Sequence, residues 1–280
     1  MNWKIKDDIL EIRKPIIMGI LNVTPDSFYD GGRFFDFNKA IERGIEIEKE
    51  GADIIDIGGQ STRPGSKIIS EMEEIERVIP VIKILSKELK IPVSCDTFRR
   101  KVAEKAIENG AKIINDISAF SLDKDLLNVI KESSCGYVLM HMKGTPENMQ
   151  INPYYEDTIQ EISIFFEEKL EILEKNKIDL ERVVIDPGIG FGKRVCDNIE
   201  ILKNLDRFKK FNRPILIGTS RKSFIGKLLN LEPEQRLEPT IATNVYAYLK
   251  GANIFRVHDV KEVKKAIEII YLIENENTVH

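Results

Sequence analysis

At 280 residues the chain is long for one ordinary domain but fits a single α/β barrel with a large core. Its 42 basic and 46 acidic residues leave a formal net charge of −4, which argues against a general role on nucleic acid or a membrane surface, so any anion site must be local. The opening residues MNWKIKDDIL hold no apolar signal core and no run approaches the ~18 apolar residues of a membrane span, so the expectation is a cytoplasmic protein.

Residues 1–14 precede the first predicted barrel strand and are expected to form a small hairpin capping the barrel bottom. Short apolar runs of the kind covered on both faces then follow at 16–21, 53–58, 92–97, 112–118, 136–142, 182–186, 214–220 and 253–258. Between them lie stretches with helical spacing, such as Ala40, Ile41, Gly44, Ile45 and Ile47, or Ile162, Phe165, Phe166, Leu170 and Leu173. About eight strand-helix units without a linker tract or a short repeat predict a (β/α)8 TIM barrel, with residues 1–280 as one domain. An open doubly wound sheet is the weaker alternative. Cys95, Cys135 and Cys196 are odd in number and far apart, without zinc or disulfide spacing, and read as reduced core thiols.

In such a barrel, chemistry collects where strands end and the following loops begin. Those ends carry Asn22, Thr62 and Arg63, Asp96, Asn115, Met140, Asp186, Lys222, and Arg256 with His258. A lone Asp after a strand is more often a helix cap than a catalyst. Repetition around the ring weakens that reading. Thr62, Arg63, Arg256 and His258 supply cations and donors suited to a phosphate or diphosphate, whereas Asp186, Asn115 and Asp96 suit a planar heterocycle with a guanidine-like edge.

The stretch DPGIGFGKR (186–194) looks at first like a phosphate loop, but its spacing fails. Three residues, not four, separate Gly188 from Gly192, and Arg194 stands where a P-loop needs Ser or Thr. A dinucleotide fingerprint fails too, since the third glycine comes one residue early. The better reading is a heterocycle-binding turn: Asp186 accepts two N–H bonds, the glycines let the backbone pass close to a flat ring, and Phe191 packs on it. NVTPDSFYDGG (22–32) reads as a lid or a surface connection. GTSRKSFIG (218–226) enters a helix with Ser220 as its expected N-cap, where N–H groups and Arg221 can hold a carboxylate. His141 in HMKGTPENM reads as structural.

Taken together, NVTPDSFYDGG, DIGGQSTRPG, SCDT, INDIS, HMKGTP, DPGIGFGK, GTSRKSFIG and RVHDV resemble the dihydropteroate synthase family, in the family's order and over essentially the whole chain. The resemblance implies a (β/α)8 barrel that joins 6-hydroxymethyl-7,8-dihydropterin diphosphate to 4-aminobenzoate, releases diphosphate and uses Mg²⁺. It implies that Asp186, Asn115, Asp96 and Lys222 bind the pterin, and that Asn22, Thr62, Arg63, Arg256 and His258 bind diphosphate and its Mg²⁺, with Asn22 as the metal ligand. Phe28, Pro64, Ser220 and Lys222 would surround 4-aminobenzoate. Met140, Phe191, Gly218 and Arg221 complete the implied substrate-binding set, and Asp96, Lys222 and Arg256 are the implied catalytic residues. A homodimer through late helices and competition by sulfonamides are likewise implied. One departure stands out: Gln60 replaces the acid of the family's usual Gly-Gly-Glu-Ser.

Two rivals bind the same heterocycle. A methyltetrahydrofolate:corrinoid methyltransferase shares the heterocycle acids but has no evident use for the STRPG and SRKS segments. A non-catalytic pterin-binding barrel would be favoured by loss of Asp96, Lys222 or Arg256, and none is lost. A sugar-phosphate isomerase is weaker, lacking an enolisation base paired with a histidine.

Overall fold

The computed structural model describes residues 1–24, 37–60 and 68–275. An antiparallel hairpin, β1 (Asn2–Ile5) and β2 (Asp8–Glu11), opens the chain. Strands and helices then alternate: β3 (Ile16–Asn22), α1 (Phe37–Lys49), β4 (Ile54–Gly58), α2 (Glu71–Glu88), β5 (Val93–Asp96), α3 (Arg100–Glu108) and β6 (Ile113–Asp116). The series continues with α4 (Leu126–Ser133), β7 (Gly136–Met140), α5 (Thr158–Lys175), β8 (Val183–Asp186), α6 (Val195–Lys203) and β9 (Leu216–Ile217). It ends with α7 (Ser223–Leu229), α8 (Leu237–Leu249), β10 (Ile254–Val257) and α9 (Val260–Glu274). Ser70 and Asp157 cap α2 and α5 by accepting the N–H groups of Glu73 and Gln160, which satisfies donors the first helical turn leaves over.

The eight strands from β3 onward pair in parallel in the order β8-β7-β6-β5-β4-β3-β10-β9. A parallel bridge between Ile185 and Ile215 closes the ring, helped by the Ile185 N–H donating to Pro214 O at 3.0 Å. The fold is therefore the (β/α)8 barrel expected from the alternation. β9 is the shortest strand because Pro214 brings no N–H to the ladder and the chain turns again soon after Gly218.

Strand alternation explains why the runs read as uniformly apolar. Ile17, Ile55, Ile114, Leu139, Ile185, Ile217 and Phe255 face outward and pack against the helices. Their neighbours Met18, Ile54, Ile113, Val138, Val184, Leu216 and Ile254 face inward and form one cluster with Trp3 and Ile5 of the hairpin. The hairpin thus plugs the end of the barrel where the strands start. Trp3 is fully buried and its Nε1 donates to Arg182 O at 2.8 Å. Cys95 and Cys135 are buried as expected, but Cys196 is exposed, because it sits in the first turn of α6 beside the buried Asp197 rather than on the helix's inner face.

Candidate active site

Two residues up from the apolar inner layer, each strand presents its next inward position. Asp56 follows Ile54, Asp96 follows Ser94, Asn115 follows Ile113, Met140 follows Val138, Asp186 follows Val184, Gly218 follows Leu216 and Arg256 follows Ile254. The pairing register staggers them: Asp96 lies opposite Asn115 and Met140 opposite Asp186, whereas Asp56 lies opposite Ser94, Asn115 opposite Val138 and Arg256 opposite Met18, and side-chain contacts join them across the barrel. The barrel interior therefore changes from apolar to polar over one inward step, at the end where the strands stop.

Arg256 ties this layer together. Its Nε donates to Asp56 Oδ2 at 2.6 Å and a terminal nitrogen donates to Asp96 Oδ2 at 2.6 Å, while Asn115 Nδ2 donates to the same Asp56 oxygen at 2.9 Å. Arg256, grouped by sequence with the cations suited to an anion, here bonds to two carboxylates. Burial opposes its charge, but Asp56 and Asp96 outweigh burial and hold the guanidinium above its ordinary range. Burial pushes the Asp96 carboxyl up to about 7, with Arg256 pulling it down and the Asp56 charge adding to the rise. Asp186 is pushed up to about 6 by burial, against the Gly188 N–H that its Oδ1 accepts at 2.7 Å and the charge of Lys222. Lys222 is lowered to about 8 by burial and by Arg256, with Asp186 and Asp96 opposing. Its Nζ sits 4.2 Å from the centroid of the Phe191 ring. Phe191 packs with Ile117, Met140 and Met149, an apolar wall beside the charged layer.

The 186–194 turn is held by its neighbours. Gly188, Gly190 and Gly192 all have positive φ. A Cβ on Gly188 would lie 2.0 Å from His141 O, and one on Gly192 would lie 2.1 Å from Lys143 O. The close approach that demands glycine at these two positions is therefore to the backbone of the β7–α5 loop, a requirement distinct from the flat ligand expected from sequence. Beneath the turn, Lys193 Nζ meets His141 Nδ1 at 3.0 Å, Phe191 O at 3.0 Å and His141 O at 3.3 Å. Burial lowers Lys193 to about 7 and holds His141 well below its ordinary range, so His141 serves as an uncharged structural partner.

After Gly218 the chain departs from expectation. Ser220 is not the N-cap of α7: Lys222 occupies that position, because Arg221 takes a left-handed φ of 53° and turns the chain first. Ser220 Oγ instead accepts the His258 N–H at 3.2 Å and lies 3.0 Å from His258 Nδ1. Arg221 forms a two-point pair with Asp259, at 2.9 and 2.7 Å, so its charge is already matched. Phe28, Thr62, Arg63, Pro64 and the proposed lid from Pro25 to Gly32 lie outside the described residues. Gln60 is buried with neither amide atom hydrogen-bonded, a setting that costs less for a neutral amide than for the carboxylate it replaces. Among the described residues no group of three or more His, Cys, Asp and Glu is arranged to hold a metal ion. Asn22 offers one amide oxygen at the end of β3, which fits a hard cation whose other ligands come from substrate and water.

The profile of the pterin binding enzymes matches residues 18–258, a span that runs from β3 to the histidine after β10. The chain belongs to the pterin-binding enzyme family. Its relatives in that family include dihydropteroate synthases. The synthase of Clostridium beijerinckii is 47% identical over 92% of this chain and 93% of its own length. Among solved structures, the Yersinia pestis dihydropteroate synthase with a sulfonamide drug complex superposes with a TM-score of 0.93 at 39% identity, covering 98% of this chain and 100% of that one. The Xanthomonas albilineans enzyme in complex with 7,8-dihydropteroate gives 0.87 at 38% identity, covering 96% and 97%. This pterin-binding enzyme is a transferase of the dihydropteroate synthase family.

Two features of the site escape sequence reading. Asp56 lies mid-strand rather than at a strand end; its only signal is a carboxylate inside the apolar run Ile54–Gly58. The Lys193–His141 contact has no signal at all, since it joins two loops 52 residues apart.

Proposed function

We propose that this enzyme condenses 6-hydroxymethyl-7,8-dihydropterin diphosphate with 4-aminobenzoate to give 7,8-dihydropteroate and diphosphate. The observation that carries the reading is the polar cluster of Asp96, Asn115, Asp186, Lys222 and Arg256 at the barrel mouth, beside the apolar wall of Met140 and Phe191. Asp186 accepts two N–H bonds from the guanidine-like edge of the pterin, Asn115 adds an amide, and the ring lies against Phe191 near Lys222. The C–O bond to diphosphate breaks with its electron pair leaving on the diphosphate, and positive charge develops on the pterin methylene. Asp96 faces that charge. The arylamine nitrogen then forms the C–N bond and releases its proton to solvent or to the departing diphosphate.

Arg63, Thr62, Arg256 and His258 hold the leaving group, and Phe28, Pro64, Gly218, Ser220 and Lys222 receive 4-aminobenzoate, with Arg221 bracing that segment through Asp259. Asn22 is the residue that would hold Mg²⁺, whose charge would offset that of the departing diphosphate. Free cysteines support a cytoplasmic setting, and no helix among the described residues is long and apolar enough to cross a membrane. A homodimer would cover the exposed Leu249 of α8 and Ile269 and Ile273 of α9; sedimentation should show two chains in wild type and one in Ile273→Asp.

The deciding experiment supplies purified protein with Mg²⁺ and dihydropterin diphosphate, with and without 4-aminobenzoate. Dihydropteroate and diphosphate should appear together only when both substrates are present. Binding of both without product would overturn the proposal.

A further inference from the structure

Asp56 holds a position that thermal stability alone does not explain. Its carboxylate is fully buried; Oδ2 accepts from Arg256 and Asn115, and Oδ1 has no hydrogen-bond partner. Burying a carboxylate with one oxygen unpaired is costly, and a buried ion pair does little better than an apolar replacement. What the arrangement supplies is orientation. A guanidinium is a rigid planar fork, and here β4 and β5 grip it at two points, through Asp56 on Nε and Asp96 on a terminal nitrogen. The remaining N–H edge of Arg256 is thereby directed away from both carboxylates. Asn115 is gripped by the same Asp56 oxygen through its Nδ2, which sets its carbonyl oxygen outward as an acceptor.

Charge follows the same geometry. With Asp96 as its only partner, Arg256 would pair with that carboxylate at both nitrogens and neutralise it. With Asp56 sharing the guanidinium, Arg256 meets Asp96 through a single terminal nitrogen. Arg256, Asp56, Glu74 and Lys222 are the charged groups that act on Asp96, and of these Asp56 also holds Asn115.

We infer that Asp56 is a positioning residue of the proposed reaction: it orients Arg256 and Asn115 and holds Arg256 to one contact with Asp96. The inference rests on the reaction proposed above. In Asp56→Asn, kcat should fall about 100-fold, the scale of loss that misplacing a catalytic group produces, while KM for 4-aminobenzoate stays within about threefold. The melting temperature should fall only modestly, because Arg256 loses one of its two buried carboxylate partners but keeps Asp96. Ser94→Ala, which alters the cross-strand neighbour of Asp56 without touching Arg256, should leave kcat near wild type. If the Asn variant does not fold, Asp56→Ser carries the same test. A kcat within about threefold of wild type, or a fall in kcat matched by equal losses of stability and 4-aminobenzoate binding, would overturn the positioning role. Wild-type protein assayed alongside separates the two claims: an inactive wild type overturns the proposed reaction and this inference with it, whereas an active wild type with an unaffected Asn variant overturns the inference alone.

Discussion

Asp96, Asp186, Lys193 and Lys222 show the cost of assembling charge in a buried layer, because burial moves each toward its neutral form. For Asp96, with a folded value near 7, the unfolded chain releases its proton first as pH rises from about 4. Stability from this group is fully present below that range and lost as pH climbs to about 7. The Asn variant lacks that loss. The melting temperature of Asp96→Asn relative to wild type should therefore rise between pH 5 and 7.5, and a flat difference would contradict the raised carboxyl. The same substitution should lower kcat more than it weakens pterin binding, since its proposed partner is charge that develops during reaction; an effect confined to KM would oppose the role. Asp186→Ala should weaken pterin diphosphate binding by about 3–5 kcal/mol in calorimetry, the usual loss when one member of a buried charged contact is removed. Near-normal affinity would remove Asp186 from the subsite.

At the scale of elements, the 186–194 turn shows how a loop is made rigid enough to serve as a wall. Tyr155 OH donates to Gly192 O at 2.9 Å, Gln150 Nε2 to Gly190 O at 2.7 Å, and the Gly190 N–H to Asn198 Oδ1 at 2.7 Å. Lys193 bonds to the loop from below. Gly188→Ala should force the turn off the β7–α5 loop, lowering the melting temperature and raising KM for the pterin substrate, because the new methyl would overlap His141 O. Unchanged KM would mean that the turn does not shape the pocket. Glycine spacing by itself rules out a nucleotide loop, yet what the glycines accommodate lies on another strand's loop and has no local signature. Ser220 teaches the same lesson. A serine just before a helix is an ordinary cap by local chemistry, and a left-handed Arg221 together with a distant histidine redirected it.

For the whole molecule, the barrel divides its labour along its axis. The hairpin, the apolar inner layer and Trp3 stabilise the end where the strands start, while the polar layer sits at the other. Trp3→Ala should cost about 3–5 kcal/mol in denaturant unfolding, as large-to-small core substitutions do, with kcat little changed in the folded fraction. A large loss of kcat at equal folded population would show that the two ends are coupled.

The eight strand-helix units, the strand-end acids and amides, and the failure of the nucleotide spacings follow from local periodicity and residue order, which depend only on neighbours in the chain. The resemblance to the dihydropteroate synthases also lies in the order of motifs along the sequence. Tertiary structure alone decided that Asp56 joins the layer, that Arg256 bridges two carboxylates, that Arg221 is matched by Asp259, and that Lys193 bonds His141 beneath the turn. The reason is barrel closure. It gathers the ends of strands 4, 5, 6 and 10 around one mouth, and which inward side chain meets which partner then depends on register across strands far apart in the sequence.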